Sequence, residues 1–167
     1  MRYKILAIIL FFYFLTLLQS SFLNHFSILG IIPNLVLILL CLVGFFEKPH
    51  KYLGVFSALA AGFFLDVFSK SFFGISILSM VIVYFFIKEL INILRDTVQK
   101  YSIFYFIPIF IISVILYDFL FALFSYFSIH SILLTFAGYA LLVKIFYNLV
   151  FATIGFCLFK KYPALRL

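Results

Sequence analysis

The chain has 167 residues, 68% of them hydrophobic and only 10% charged, with a formal net charge of +7 and a mean hydropathy of +1.33. So little polar surface cannot cover a water-soluble globule, and the chain reads as an integral membrane protein. About six helices of roughly 20 residues fit this length with short connections, which excludes a soluble catalytic head.

The first apolar run follows Arg2 and Lys4 and resembles the start of a secretory signal. It is aromatic throughout, however, and ends at Gln19, Ser20 and Ser21 without a small-residue cleavage pattern. It is expected to be a retained transmembrane helix over about 4–22. The second run, about 29–46, carries Gly30, Pro33 and Asn34 near its start. Proline is tolerated in a first helical turn, where its missing donor costs nothing. Only the stretch from Leu35 to Phe46 then remains, so this span is expected either to start in a wide loop or to enter the membrane part-way as an unwound segment.

The third span, about 52–69, places Gly54, Ala58, Gly62 and Asp66 at every fourth position, hence on one face. Small residues on a face let a neighbouring helix approach closely, so Asp66 is expected to face protein and not lipid. The fourth span covers about 72–91. Beyond it Ile91, Leu94 and Val98 recur among Arg95, Asp96 and Lys100, the pattern of an amphipathic continuation that either lies on headgroups or contacts a cytosolic partner. The fifth span, about 103–125, contains Asp118. The sixth, about 136–159, carries a second stripe of Lys144, Asn148, Ala152 and roughly Gly155. The stretch 131–143 ahead of it is either re-entrant or part of the same helix. The expectation is an all-α membrane protein: a six-transmembrane-helix bundle forming a single integral membrane domain over 1–167.

Signing the loops orients this bundle. Arg2, Lys4, Lys48, Lys51, Lys88, Arg95, Lys100, Lys160, Lys161 and Arg166 fall on one side, and only Lys70 and the deeper Lys144 lie toward the other. By the positive-inside rule both termini are cytoplasmic. The positive charge then reflects topology and anionic lipid, and no nucleic-acid partner is needed to explain it.

Asp66, Asp118 and Lys144 interrupt the apolar runs. Counted from Lys51, Lys100 and Lys160 at about 1.5 Å per residue, each lies roughly 22–27 Å above the cytoplasmic boundary. An ionised group at that depth is costly, so the expectation is a polar cluster between the third, fifth and sixth helices, with Lys144 pairing one or both aspartates and Asn148 adding an amide. The plainer reading is that each charge marks the outer end of its own helix and snorkels to water.

No catalytic, cofactor or metal set emerges. His25, His50 and His130 lie in loops without a second ligand at metal spacing, Cys41 and Cys157 are isolated, and no phosphate-cradling glycine loop occurs. The chain is not expected to be an enzyme.

The stretch Ile32, Pro33, Asn34, Leu35, then Pro49, His50 and Lys51, then Gly54 through Gly62, Phe63, Phe64, Leu65, Asp66, Val67, Phe68, Ser69, and on to Gly74 and the Met80–Tyr84 region, resembles the MreD family of rod shape-determining membrane proteins. Asp118, Asn148 and the basic pair Lys160 and Lys161 extend the likeness. Lys70 departs from it, standing where the family usually has a small residue. The resemblance implies a non-enzymatic scaffold in the bacterial cytoplasmic (inner) membrane. Its implied partners are MreC, a single-span protein with a periplasmic coiled coil, together with RodA, its partner transpeptidase and MreB. It further implies a role in cell shape and lateral peptidoglycan synthesis as part of the elongation machinery.

The six-helix pattern is also similar to the substrate-binding subunits of energy-coupling-factor vitamin transporters. There the outer half of the bundle holds a ligand, and Asp66, Asp118, Lys144 and Asn148 would line such a pocket. Against that alternative, the first span has only Ala7 among large residues, where such subunits use a small-residue face.

Overall fold

The computed structural model describes residues 2–47, 53–69, 72–94, 102–129 and 138–161. Six α-helices occupy them: α1 (Arg2–Leu17), α2 (Leu35–Phe46), α3 (Leu53–Phe68), α4 (Ile75–Ile93), α5 (Ile103–Ile129) and α6 (Gly138–Lys161). Four stretches are long and apolar enough to cross a membrane, Leu6–Phe26 (most of α1 and the turns after it), α4, and the greater part of α5 and of α6, whereas α2 and α3 are shorter apolar helices. The protein is a multi-pass membrane protein.

The central element is the shortest one. Ten of the 12 residues of α2 are buried, against α6, α3, α4, α1 and α5. A helix that is apolar on every face has no solvent side to offer, so the bundle closes around it. α2 and α6 run parallel: Asn34 meets Asn148 at one end, and Phe46 lies against Phe156 and Phe159 at the other. A phenyl cluster fills the end near Lys160, with Phe106 to Phe156 at 4.9 Å and Phe45 to Phe106 at 5.4 Å between ring centroids. Tilted and edge-on rings at these separations add to plain area burial.

The second span differs from the expected 29–46. Residues 28–34 are not helical: Ile28 and Ile31 exchange backbone hydrogen bonds of 3.0 and 2.9 Å across a turn in which Leu29 and Gly30 both have positive φ, 54° and 77°. Nor does Pro33 sit in the first turn. It precedes the cap, Asn34, whose side chain accepts from the Leu37 amide at 3.0 Å. Proline biases the residue before it away from helix, and the Asn cap satisfies a donor that would otherwise be orphaned, so the helix starts at Leu35. α1 likewise loosens at its end, through a π turn (Leu18–Phe22) and a 3-10 turn (Leu23–Phe26).

α5 and α6 run a few residues beyond the expected ends. Residues 138–143, left open as re-entrant, belong to α6, while 131–137 lie outside the described residues. The amphipathic continuation beyond α4 is described only to Leu94, and Arg95, Asp96, Val98 and Lys100 lie outside, as do Lys48, Pro49, His50, Lys51, Lys70, His130 and Arg166. Core hydroxyls are satisfied locally: Thr16, Ser57, Ser79 and Ser113 each donate to the carbonyl four residues back, at 2.7–2.8 Å.

Candidate functional site

The polar side chains inside the bundle fall into three groups. Asp66, near the C-terminal end of α3, is buried and points at the start of α4. One carboxylate oxygen accepts from the Ser76 amide at 2.9 Å, and the other from Gly74 at 2.8 Å and Ile77 at 3.2 Å. It therefore caps a neighbouring helix. The unpaired amides and positive dipole end of α4 compensate its charge. Ser69 donates to the Asp66 carbonyl, which continues the turn out of α3.

Two glycines make that contact possible. A Cβ at Gly62 would lie 2.3 Å from the Ile77 Cα and 2.9 Å from the Ser76 carbonyl, closer than atoms can approach, so α3 meets the first turn of α4 backbone to backbone. Gly74 holds φ +105°, a conformation that glycine alone adopts freely, and this turns its amide toward Asp66. Ala58 and Gly54 extend the same face of α3 along α4.

Asp118 of α5 pairs with Lys144 of α6 at 2.5 Å, the lysine side chain about one-third exposed. One turn along α6, Asn148 is fully buried; its oxygen accepts from the Asn34 backbone amide at 2.7 Å and its nitrogen donates to the Lys144 carbonyl at 2.8 Å. Ala152, another turn on, is fully buried. At Gly155 a Cβ would come within 2.8 Å of Leu42, so this stripe is the face that α6 turns to α2.

The cluster expected from four residues is thus divided. Asp118, Lys144 and Asn148 meet around the start of α2, whereas the hydrogen bonds of Asp66 go to α4 and not to Lys144. The physical reason is proximity along the chain: the α3–α4 turn brings three free amides to Asp66, and they satisfy both its oxygens. Equal depth does not place groups on the same side of a bundle.

Sequence reasoning missed what lies between the two halves. Tyr117 is buried in α5, beside the side chains of Ser76 and Asn34 and within electrostatic reach of both Asp66 and Asp118. It links the α4 start to the α2 start. One tyrosine among 11 in an apolar run gives no signal beyond its position next to Asp118.

The third group was also missed. Glu47, immediately after α2, is buried and accepts from the Gly54 amide at 2.7 Å, the Tyr84 hydroxyl at 2.7 Å and Lys88 at 2.9 Å. A Cβ at Gly54 would strike the Tyr84 ring at 2.3 Å and the Glu47 carboxylate at 2.5 Å, so this glycine keeps the pocket for the acid open. In the sequence Glu47 looks like an ordinary loop charge beside Lys48. Its only local signal is that Gly54 follows by seven, near a helix start. Among the described residues no group of three or more His, Cys, Asp or Glu could hold a metal ion.

Residues 1–162 match the family model described as rod shape-determining protein MreD. The chain belongs to the MreD family. This membership assigns it a role in rod shape determination. No curated protein and no solved structure matches the chain. Of the residues that carry the family likeness, Pro33 and Asn34 lie at the start of α2, Asn148 binds the Asn34 amide, and Asp66, Ser69 and Gly74 lie where α3 joins α4.

Proposed function

We propose that this MreD family member is a non-enzymatic scaffold of the bacterial cell-elongation complex, a single integral membrane domain of the cytoplasmic membrane with both termini in the cytoplasm. It acts by binding an MreC-like single-span protein, and through it RodA, the partner transpeptidase and MreB, so that lateral peptidoglycan synthesis follows the long axis. The topology rests on the ten basic residues of one side. A bundle like that of energy-coupling-factor substrate-binding subunits belongs to the same reading, used here for holding helices and not for taking up a vitamin.

The observation that carries the scaffold reading is how the internal polar groups are used. Asp66, Asn148 and Glu47 are buried and spend their hydrogen bonds on backbone or side chains of neighbouring helices. A solute site keeps a few convergent polar groups free to select a ligand, whereas groups already satisfied rigidify a support.

Depletion in a rod-shaped host is the test. Rounded or swollen cells, and co-purification of the tagged protein with a single-span partner, are the expected results. Rods that keep their shape after depletion would overturn the reading. Retention of a vitamin by the purified protein, or a rise in its melting temperature with one, would favour solute binding instead.

A further inference from the structure

The segment between α1 and α2 shows where part of the chain meets the lipid. Two rulers place its α2 end. α2 spans the 12 residues between Asn34 and Glu47, about 18 Å at 1.5 Å per residue. Asn148, which binds the Asn34 amide, is 12 residues from Lys160 on α6, again about 18 Å. A hydrocarbon core is roughly 30 Å thick, so α2 begins about 12 Å short of the boundary farther from Lys160 and Lys161. Residues 28–33 turn within that remaining depth without a helix. Tyr147, whose hydroxyl donates to the Phe26 carbonyl at 3.0 Å, fixes the preceding turn to α6 one residue nearer that boundary than Asn148.

Irregular backbone at such depth is tolerable only where its polar groups are satisfied. Here Ile28 and Ile31 satisfy each other, Tyr147 takes the Phe26 carbonyl, and Asn148 takes the Asn34 amide. The outward side chains are large and apolar: Phe22, Phe26 and Ile28 are each half exposed or more, and Leu29, at the tip with positive φ, is 73% exposed. The Phe22 and Phe26 rings pack together at 5.0 Å. Asn24 and His25, on the same turn, are also exposed.

We infer that residues 22–31 form an interfacial wedge whose Phe22, Phe26, Ile28 and Leu29 are seated in the upper acyl chains of the leaflet away from Lys160 and Lys161. The occupant of this surface is lipid. A water-facing loop would not expose four large apolar side chains together, and the depth arithmetic leaves the tip inside the bilayer. The wedge anchors the α1–α2 edge of the bundle and directs aqueous contacts on this side to other segments. It depends on the chain being a membrane protein and not on which partners it scaffolds.

The chain has no tryptophan, so a single substitution reports its own surroundings. Leu29→Trp in the full chain, reconstituted into phosphatidylcholine–phosphatidylglycerol vesicles, is expected to emit at short wavelength. Lipids brominated on the upper acyl chain should remove roughly half its intensity, as for a side chain 5–10 Å below the headgroups. Ile28→Trp should behave alike and serves if the first variant does not fold. Emission quenched by aqueous iodide and indifferent to brominated lipid would overturn the inference, and so would emission indifferent to both quenchers.

Discussion

Asp66 is a buried charge that also caps the start of a helix it does not belong to. Replacing it with leucine strands the amides of Gly74, Ser76 and Ile77, each of which it now satisfies. A loss of about 2–4 kcal/mol is expected, read as a lowered melting temperature in detergent. Asp66→Asn keeps an accepting oxygen and should fall between. Gly62 is more demanding sterically. Because its Cβ would meet the Ile77 backbone and not a flexible side chain, Gly62→Ala should separate α3 from α4 and cost about 1–3 kcal/mol. A cysteine pair engineered across α3 and α4 would show the separation as slower disulfide formation. Gly62→Ala variants with unchanged stability and cross-linking would contradict the close approach.

At the scale of elements, α2 depends on others for its start. Asn148→Leu leaves the Asn34 amide without its acceptor in an apolar surrounding, a change worth about 1–3 kcal/mol. The effect should appear first as faster hydrogen exchange in the opening turn of α2, with α3 and α4 unaffected. The Asp118–Lys144 pair joins α5 to α6 and is partly exposed, which reduces its worth. Lys144→Met alone leaves a carboxylate uncompensated at membrane depth and should destabilise by about 1–2 kcal/mol, whereas Asp118→Leu with Lys144→Met should recover most of that loss. Additive effects of the two single changes would show that the pair contributes nothing beyond its separate parts.

For the whole molecule, two polar layers hold the bundle at opposite ends of α2. At one end Glu47 joins the start of α3 to the second half of α4, taking the Gly54 amide of α3 and the Tyr84 hydroxyl and Lys88 ammonium of α4. At the other, Tyr117, Asn34 and Asn148 connect α5, α2 and α6. Polar groups give this bundle its specificity, because van der Waals packing among Phe and Leu does not select one partner helix over another as sharply. Glu47→Leu should therefore loosen the α2–α3–α4 junction and reduce thermal stability by about 3 kcal/mol, since it orphans Lys88 and a backbone amide together. Retention of the wild-type melting temperature would show that this layer does not hold the helices.

Composition and periodicity by themselves determined the class, the number of helical segments, and the small-residue faces of α3 and α6, because a bilayer fixes how long and how apolar a segment must be. The short second helix was legible too, in Pro33 and the 12 apolar residues after Asn34. Tertiary structure alone decided which charges meet. Depth along a helix can be counted from basic residues, but azimuth around the bundle depends on which helices neighbour which, and no one-dimensional count contains that. Hence Lys144 found Asp118, Asp66 turned to the amides of α4, and Glu47, an unremarkable loop acid in the sequence, became the centre of a buried junction.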